Sequence, residues 1–192
     1  MLMPRPKNLM DNKYIKKASI SGLLILERPI HKDDRGFFRE IFHLDELEKI
    51  AGVKFSGVQM NHSHSDPGVL RGIHAERWNK IVYPLNGQVF VAIVDVRGDS
   101  STFGKVETFD INDSNRVGLF IPNGLANSIC VTSETSVDYI YLIDAYYDGS
   151  DTRAIAWDDP DLAINWPIKN PIISERDKNN PKLRDLFPEK FK

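Results

Sequence analysis

Residues Val58 to Lys80, VQMNHSHSDPGVLRGIHAERWNK, gather three of the chain's five histidines with Arg71, Arg77, Glu76 and Lys80. Imidazole titrates near neutrality, so a histidine can take up and return a proton under physiological conditions. Guanidinium forks match phosphate and carboxylate oxygens two at a time. Such groups are costly to place in an apolar core unless they meet a ligand or each other. The cluster therefore points to one of two chemistries, a metal centre or an acid–base site facing an anionic ligand.

The elements that must hold these residues read as β. Ser19 to Ile30 is strand-like and closes at Pro29. Between Lys80 and Arg97, two apolar runs flank Asn86-Gly87, a pair that favours a two-residue hairpin turn. Further strand-like runs cover Gly104 to Ile111, Val117 to Ile121, Ser128 to Val131 and Val137 to Tyr147. Their spacing predicts a sandwich or barrel. Helical pattern is confined to Leu44–Ala51, stopped by Gly52, and to a short turn opened by Ser174 with Asp177 as an imperfect capping-box partner. The reading is an all-β jelly roll with short C-terminal helices. It is one domain over residues 1–192, with an N-terminal arm over 1–18 and a helical tail over 174–192.

Composition narrows the function. The chain has 192 residues, 41% hydrophobic and 27% charged, with 25 Lys plus Arg against 27 Asp plus Glu. A formal net charge of −2 gives no basis for generic nucleic-acid or membrane-surface binding, so any anion site is local. One cysteine, Cys130, excludes an internal disulfide and fits a reducing cytoplasm. The N-terminus lacks the apolar core of a signal peptide, and no run is long enough for a membrane span.

The metal reading is the weaker one. In a double-stranded β-helix of the cupin type, a His-x-His pair with a nearby carboxylate and a later histidine would bind a divalent ion. His62-Ser63-His64 supplies the pair. Pro67-Gly68 stands where the carboxylate is needed, and Pro122-Asn123-Gly124-Leu125-Ala126-Asn127 ends on Asn127 where the last histidine belongs. With two ligands replaced, no metal is expected, and His64 reads as a rim residue.

Several blocks together resemble the dTDP-4-dehydrorhamnose 3,5-epimerase family, metal-free cupin-fold enzymes acting on nucleotide sugars. They are DDRGFFRE from Asp33 to Glu40, QMNHS from Gln59, LRGIH ending at His74, KIV from Lys80, and DVR with STFG from Asp95 to Gly104. Ile121-Pro122, Tyr141, Tyr146-Tyr147, WDDP ending at Pro160 and INWP ending at Pro167 follow in the family's order.

The reaction this implies has clear requirements. Carbons C3 and C5 of a 4-keto-6-deoxyhexose lie next to the ketone, so their protons can be removed. Inversion needs a base on one face, an acid on the other and a cation for the enolate oxygen. The resemblance assigns His74 as base, Asp159 as its carboxylate partner, Tyr141 as acid and Lys80 as the enolate-stabilising group. It implies that Arg35 and Arg71 contact the diphosphate, while Phe38, Glu40, Gln59, Asn61, Asn127 and Tyr147 line the nucleotide and sugar site. It further implies no cofactor, and a homodimer whose pocket is completed by a strand exchanged near the N-terminus.

Departures from the family pattern bear on the substrate. The usual His-Tyr-Gln becomes His74-Ala75-Glu76, with a shorter run to Lys80. Asn127 replaces histidine, and Leu142 follows Tyr141 where many members carry lysine. A dTDP sugar is expected, with CDP or GDP as alternatives, and inversion can fall on C3, C5 or both. The product would feed rhamnose or other deoxysugar synthesis for a surface polysaccharide such as the lipopolysaccharide O-antigen. The rival readings are a 3,4-ketoisomerase and a non-catalytic sugar-nucleotide-binding protein.

Overall fold

A computed structural model describes residues 13–149 and 153–191. Most of the expected arm, residues 1–12, lies outside them. The first strands are β1 (Ile15–Lys17), β2 (Leu24–Leu26), β3 (His31–Asp33) and β4 (Gly36–Phe38), followed by helix α1 (Leu44–Ala51). The barrel strands are β5 (Gln59–Ser65), β6 (Leu70–Ala75), β7 (Lys80–Pro84), β8 (Gln88–Asp95), β9 (Val106–Asn112), β10 (Gly118–Ile121), β11 (Leu125–Val131) and β12 (Val137–Ile143). After them come β13 (Arg153–Ala154), α2 (Glu175–Lys178), α3 (Leu183–Leu186) and a 3-10 turn at Pro188–Lys190.

Two antiparallel sheets face each other, one in the order β1-β2-β10-β7-β12-β5 and the other β13-β6-β11-β8-β9. This is the jelly roll expected from the strand spacing. Between the sheets lie Val82, Val89, Val91, Ile93, Leu119, Ile121 and Ile129, all buried. Strand side chains alternate faces, so the intervening residues point outward and must be covered separately. On the six-stranded side, Leu47 of α1 and Phe55 pack on Leu24, Leu26, Ile81 and Phe120. On the five-stranded side, Leu162, Leu183 and Trp166 cover Ile73, Val94 and Ala126. Each sheet is therefore buried on both faces over much of its area. That is why β7 and β8 read as unbroken apolar runs.

The hairpin expected at Asn86-Gly87 does not form. β7 pairs with β10 and β12, whereas β8 pairs with β9 and β11. The turn instead carries the chain from one sheet to the other. Gly87 takes a positive φ of 75°, and Asn86 ties the turn to β12 by accepting from Asp138 N and donating to Ser136 O, each at 2.9 Å. The turn chemistry is local, but the pairing is decided by the core between the sheets. The helix over Leu44–Ala51 forms as expected, and Gly52 closes it in the left-handed conformation at φ 71°. The long strand expected over Ser19–Ile30 shrinks to β2, because Gly22 turns the chain at φ 85°.

Candidate active site

The polar segment that opens the sequence is itself two strands. β5 places Gln59, Asn61 and Ser63 on the inner face and Met60, His62 and His64 on the outer. β6 follows and brings Arg71, His74 and the adjoining Glu76 to the opposite wall. Together with Lys80 of β7, Asn127 of β11, and Tyr139 and Tyr141 of β12, these residues line a cavity of about 690 Å³ at one end of the barrel. Eight of the site residues expected from sequence meet there: Gln59, Asn61, Arg71, His74, Lys80, Asn127, Tyr141 and Tyr147.

His74 and Tyr141 stand on different sheets. Register explains the placement: His74 lies opposite Asn127 on β11, while Tyr141 lies opposite Asn61 on β5 and Val82 on β7. Gly72, two residues before His74, has φ 135°, and a Cβ there would fall 2.5 Å from Ser128 Cβ. Only glycine lets β6 approach β11 this closely and still present His74 inward.

The carboxylate beside His74 is Asp177, not Asp159. His74 Nε2 lies 2.8 Å from Asp177 Oδ1. Asp177 is 3% exposed and also receives Arg176 Nε at 3.1 Å. Burial pushes this carboxyl up, but the hydrogen bond with His74 and the charges of His74 and Arg176 hold it well below the usual carboxylate range. Arg176 Nη2 also comes within 2.8 Å of His74 Nε2. Nε2 donates to Asp177 in the tautomer that carries its proton there, which leaves on Nδ1 the lone pair a base requires; in the other tautomer Nε2 accepts from Arg176.

Asp159 has a structural task elsewhere. It is buried, and its carboxylate accepts from Leu183 N at 2.5 Å and Asp161 N at 2.8 Å, pinning α3 to the chain before it. Asp177 had shown itself in the sequence only as a capping residue. Its backbone N–H is indeed capped by Ser174 Oγ at 3.1 Å, but its side chain turns away from the cap toward His74.

Lys80 is 5% exposed at its side chain, and its ammonium donates to Glu76 Oε2 and Asn127 Oδ1. Tyr141 has its phenol pushed up, first by burial and then by the negative charge of Glu76, with Arg71 opposing. It is therefore a neutral proton donor at physiological pH. Arg71 is held by Ser65 Oγ at 2.8 Å and His64 O at 3.1 Å. Gln59 donates to Asn61 Oδ1 at 2.9 Å and accepts from Tyr147 N at 3.0 Å. Tyr147 meets Trp78 edge to face, with centroids 6.1 Å apart.

Besides Asp159, three expected residues stay outside the cavity. Arg35 and Phe38 sit on the exposed β3–β4 hairpin, where Arg35 pairs with Asp33 at 2.5 Å. Glu40 lies 3.2 Å from His43 and 3.9 Å from Arg28. His62 and His64 point outward and share Asp138 at 2.8 and 3.0 Å. Among the described residues no group of three or more His, Cys, Asp or Glu is placed to hold a metal ion. Among the described residues, too, no helix is long and apolar enough to cross a membrane.

A jelly roll that buries a His–Asp pair, a lysine and a tyrosine around one cavity defines a barrel with an acid–base site. The dTDP-4-dehydrorhamnose 3,5-epimerase family model matches residues 17–185. A dTDP-4-dehydrorhamnose 3,5-epimerase of Shigella flexneri is 38% identical over 173 residues, 88% of this chain and 95% of the relative. The Legionella pneumophila epimerase in complex with dTDP-4-keto-L-rhamnose superposes with a TM-score of 0.84 at 35% identity, covering 91% of this chain and 95% of that one. A 3'-monoepimerase of Streptomyces bikiniensis in complex with dTDP-quinovose gives 0.82 at 30% identity, covering 91% and 89%. The chain belongs to the dTDP-4-dehydrorhamnose 3,5-epimerase family.

Proposed function

We propose that the chain epimerises a dTDP-linked 4-keto-6-deoxy sugar at the carbons beside its ketone. The observation that carries this is the meeting of the His74–Asp177 pair with Lys80 and Tyr141 around a single cavity. His74 removes the proton from the carbon, and Asp177 stabilises the imidazolium that forms. The negative charge that moves onto the ketone oxygen is met by the Lys80 ammonium. Tyr141, on the other sheet, returns a proton from the opposite face, so the centre inverts. Acid, base and cation are all side chains, and the chemistry needs no cofactor.

Arg71 supplies the fork for the diphosphate, and Tyr147 offers the base an aromatic edge beside Trp78. A second copy of the chain would complete the pocket. Among the described residues β3 and β4 pair with each other alone, and they expose Phe37, Phe38 and Arg35. β1 is already paired to β2 of its own chain, which makes this hairpin the element fitted to reach a partner's cavity. The dimer would work in the cytoplasm, in rhamnose or related deoxysugar synthesis for a surface polysaccharide. A monoepimerase among the similar structures favours a second reading, inversion at C3 alone.

The test is proton exchange. The protein is incubated in D₂O with dTDP-4-keto-6-deoxyglucose, and deuterium at C3 and C5 is followed by NMR for wild type and His74→Ala. Exchange at both carbons supports the 3,5-epimerase, and exchange at one supports the monoepimerase. Silence with dTDP-, CDP- and GDP-linked 4-keto sugars alike would sink the catalytic reading. Label shifted between carbons would instead mark a ketoisomerase.

A further inference from the structure

One acidic side chain in the cavity has no part in the acid–base set. Glu76 follows the last residue of β6 and turns its carboxylate to the Lys80 ammonium, with 14% of its side chain exposed. The same ammonium also donates to Asn127 Oδ1. An ammonium has three N–H donors. Glu76, just past β6, and Asn127 of β11 occupy two, and one remains for a ligand oxygen. Lysine carries its charge on a flexible four-carbon stem, so two fixed acceptors define where the third donor points.

We propose that Glu76, aided by Asn127, is a positioning residue: it aims the remaining Lys80 N–H at the ketone oxygen and sets a negative charge on the cavity that Tyr141 also lines. The proposal rests on the epimerase reading above. It concerns the two acceptors that hold the Lys80 ammonium, Glu76 and Asn127. A carboxylate brings a full negative charge to the cavity where an amide brings none. It offsets part of the field that Lys80 exerts on a developing enolate, and it opposes formation of a phenolate nearby.

The groups that line this cavity around Tyr141 are known from every wall. β6 and its end contribute Arg71, His74 and Glu76, and β7 contributes Lys80. Tyr139 shares the strand, with ring centroids 6.4 Å apart, Tyr147 lies just beyond it, and α2 brings Arg176 and Asp177. After burial, Glu76 has the largest effect on the Tyr141 phenol, and Arg71 works against it. Tyr139 is pushed up in the same way by burial and then by Glu76. After burial, the carboxylate thus acts in the same direction on both phenols of the inner wall.

Two substitutions separate charge from geometry. Glu76→Gln keeps an oxygen acceptor for the ammonium and removes the charge. Glu76→Leu removes both. Epimerisation and solvent exchange of dTDP-4-keto-6-deoxyglucose are followed from about pH 6 to 10, a window that spans the tyrosine range. In Glu76→Gln the alkaline limb of kcat is expected to move to lower pH, because Tyr141 loses the charge that opposes its ionisation. In Glu76→Leu, kcat is expected to fall about 100-fold with KM within about threefold, since the lost interaction matters when charge develops.

An alkaline limb that stays in place in Glu76→Gln overturns the proposal. So does a Leu variant whose whole loss lies in KM. If the Leu variant does not fold, the Gln profile alone decides. Wild-type protein that exchanges no proton with any 4-keto sugar nucleotide overturns the epimerase reading first. Active wild type with an unmoved Gln profile overturns only this inference.

Discussion

One histidine–carboxylate group lies inside the barrel and another on its outer surface, and their geometry is nearly the same. His74 and Asp177 meet at 2.8 Å inside the barrel, while His62 and His64 meet Asp138 at 2.8 and 3.0 Å outside it. What differs is solvent. The Asp177 side chain is 3% exposed and that of His74 19%, against 34% for Asp138 and 60% for each outer histidine. Water screens the outer charges and competes for their hydrogen bonds. Inside, Asp177 is held ionised against burial, so it can stabilise an imidazolium in a place where water cannot. The lesson is that residue type and distance alone do not decide what such a pair can do; the low-dielectric wall around it does.

The sharpest way to break this contrast is to neutralise each carboxylate in turn. Asp177→Asn should cut the rate of proton exchange by about 10³-fold, because the amide can hold the wrong tautomer of His74. Asp138→Asn should leave the rate within about twofold of wild type, as for a surface ion pair. Equal losses in the two variants would end the distinction. Tyr141→Phe sharpens it further along the inner wall. Net inversion should fall about 100-fold, while exchange at the same carbon falls less, since His74 can remove and return a proton on one face. Equal loss of both would remove Tyr141 as the opposite-face acid.

How much of this could be read beforehand follows from the range of each signal. The jelly roll was legible because strand length and turn spacing are local. That His74, Lys80, Tyr141 and Arg71 line one cavity agrees with the ordered blocks of the family resemblance that singled them out. Asp177 was not, since its partner lies 103 residues away and its own neighbourhood reads as a helix cap. Asp159 drew the assignment because Trp157-Asp158-Asp159-Pro160 is a strong local pattern, yet its carboxylate serves the backbone of Leu183. The Asn86-Gly87 turn failed for the same reason. Runs buried on both faces lose the alternation that would show which sheet each strand joins. The role of Glu76 depends on Lys80 and Asn127 converging from β7 and β11, which no local pattern encodes.

Asp95 separates burial from chemistry. It is fully buried, and it accepts from Arg97 Nε at 2.8 Å, Ser100 Oγ at 2.6 Å and Thr102 Oγ1 at 2.6 Å, with no place in the cavity. Burial pushes its carboxyl up, but these donors pull it down to about 2, below the value of about 3.9 expected in the unfolded chain. Its stabilisation is therefore complete above the unfolded value and lost as pH falls toward 2. Asp95→Asn should cost about 2 kcal/mol at pH 7 with the active-site chemistry intact. Urea unfolding should show the gap to wild type closing near pH 3, within the window between the two values. A gap independent of pH would mean that the loss comes from packing and not from the charge.

The smallest effect belongs to the outer histidines. His62 and His64 lie beside one another on the exposed face of β5, opposite Ile140 and Asp138 in the register with β12. Their imidazoles gain little from Asp138 because water solvates all three groups. The double change His62→Ala, His64→Ala should leave the melting temperature within about 2 °C of wild type. Proton exchange should be unchanged as well. A large loss of stability would show that this face is covered in the working protein, and the outer pair would then be as buried as the inner one. A loss of exchange without a loss of stability would instead couple the outer face of β5 to Asn61 and Tyr141 on its inner side. Either result would mean that solvent exposure in the single chain is the wrong measure of which histidine–carboxylate pair does the chemistry.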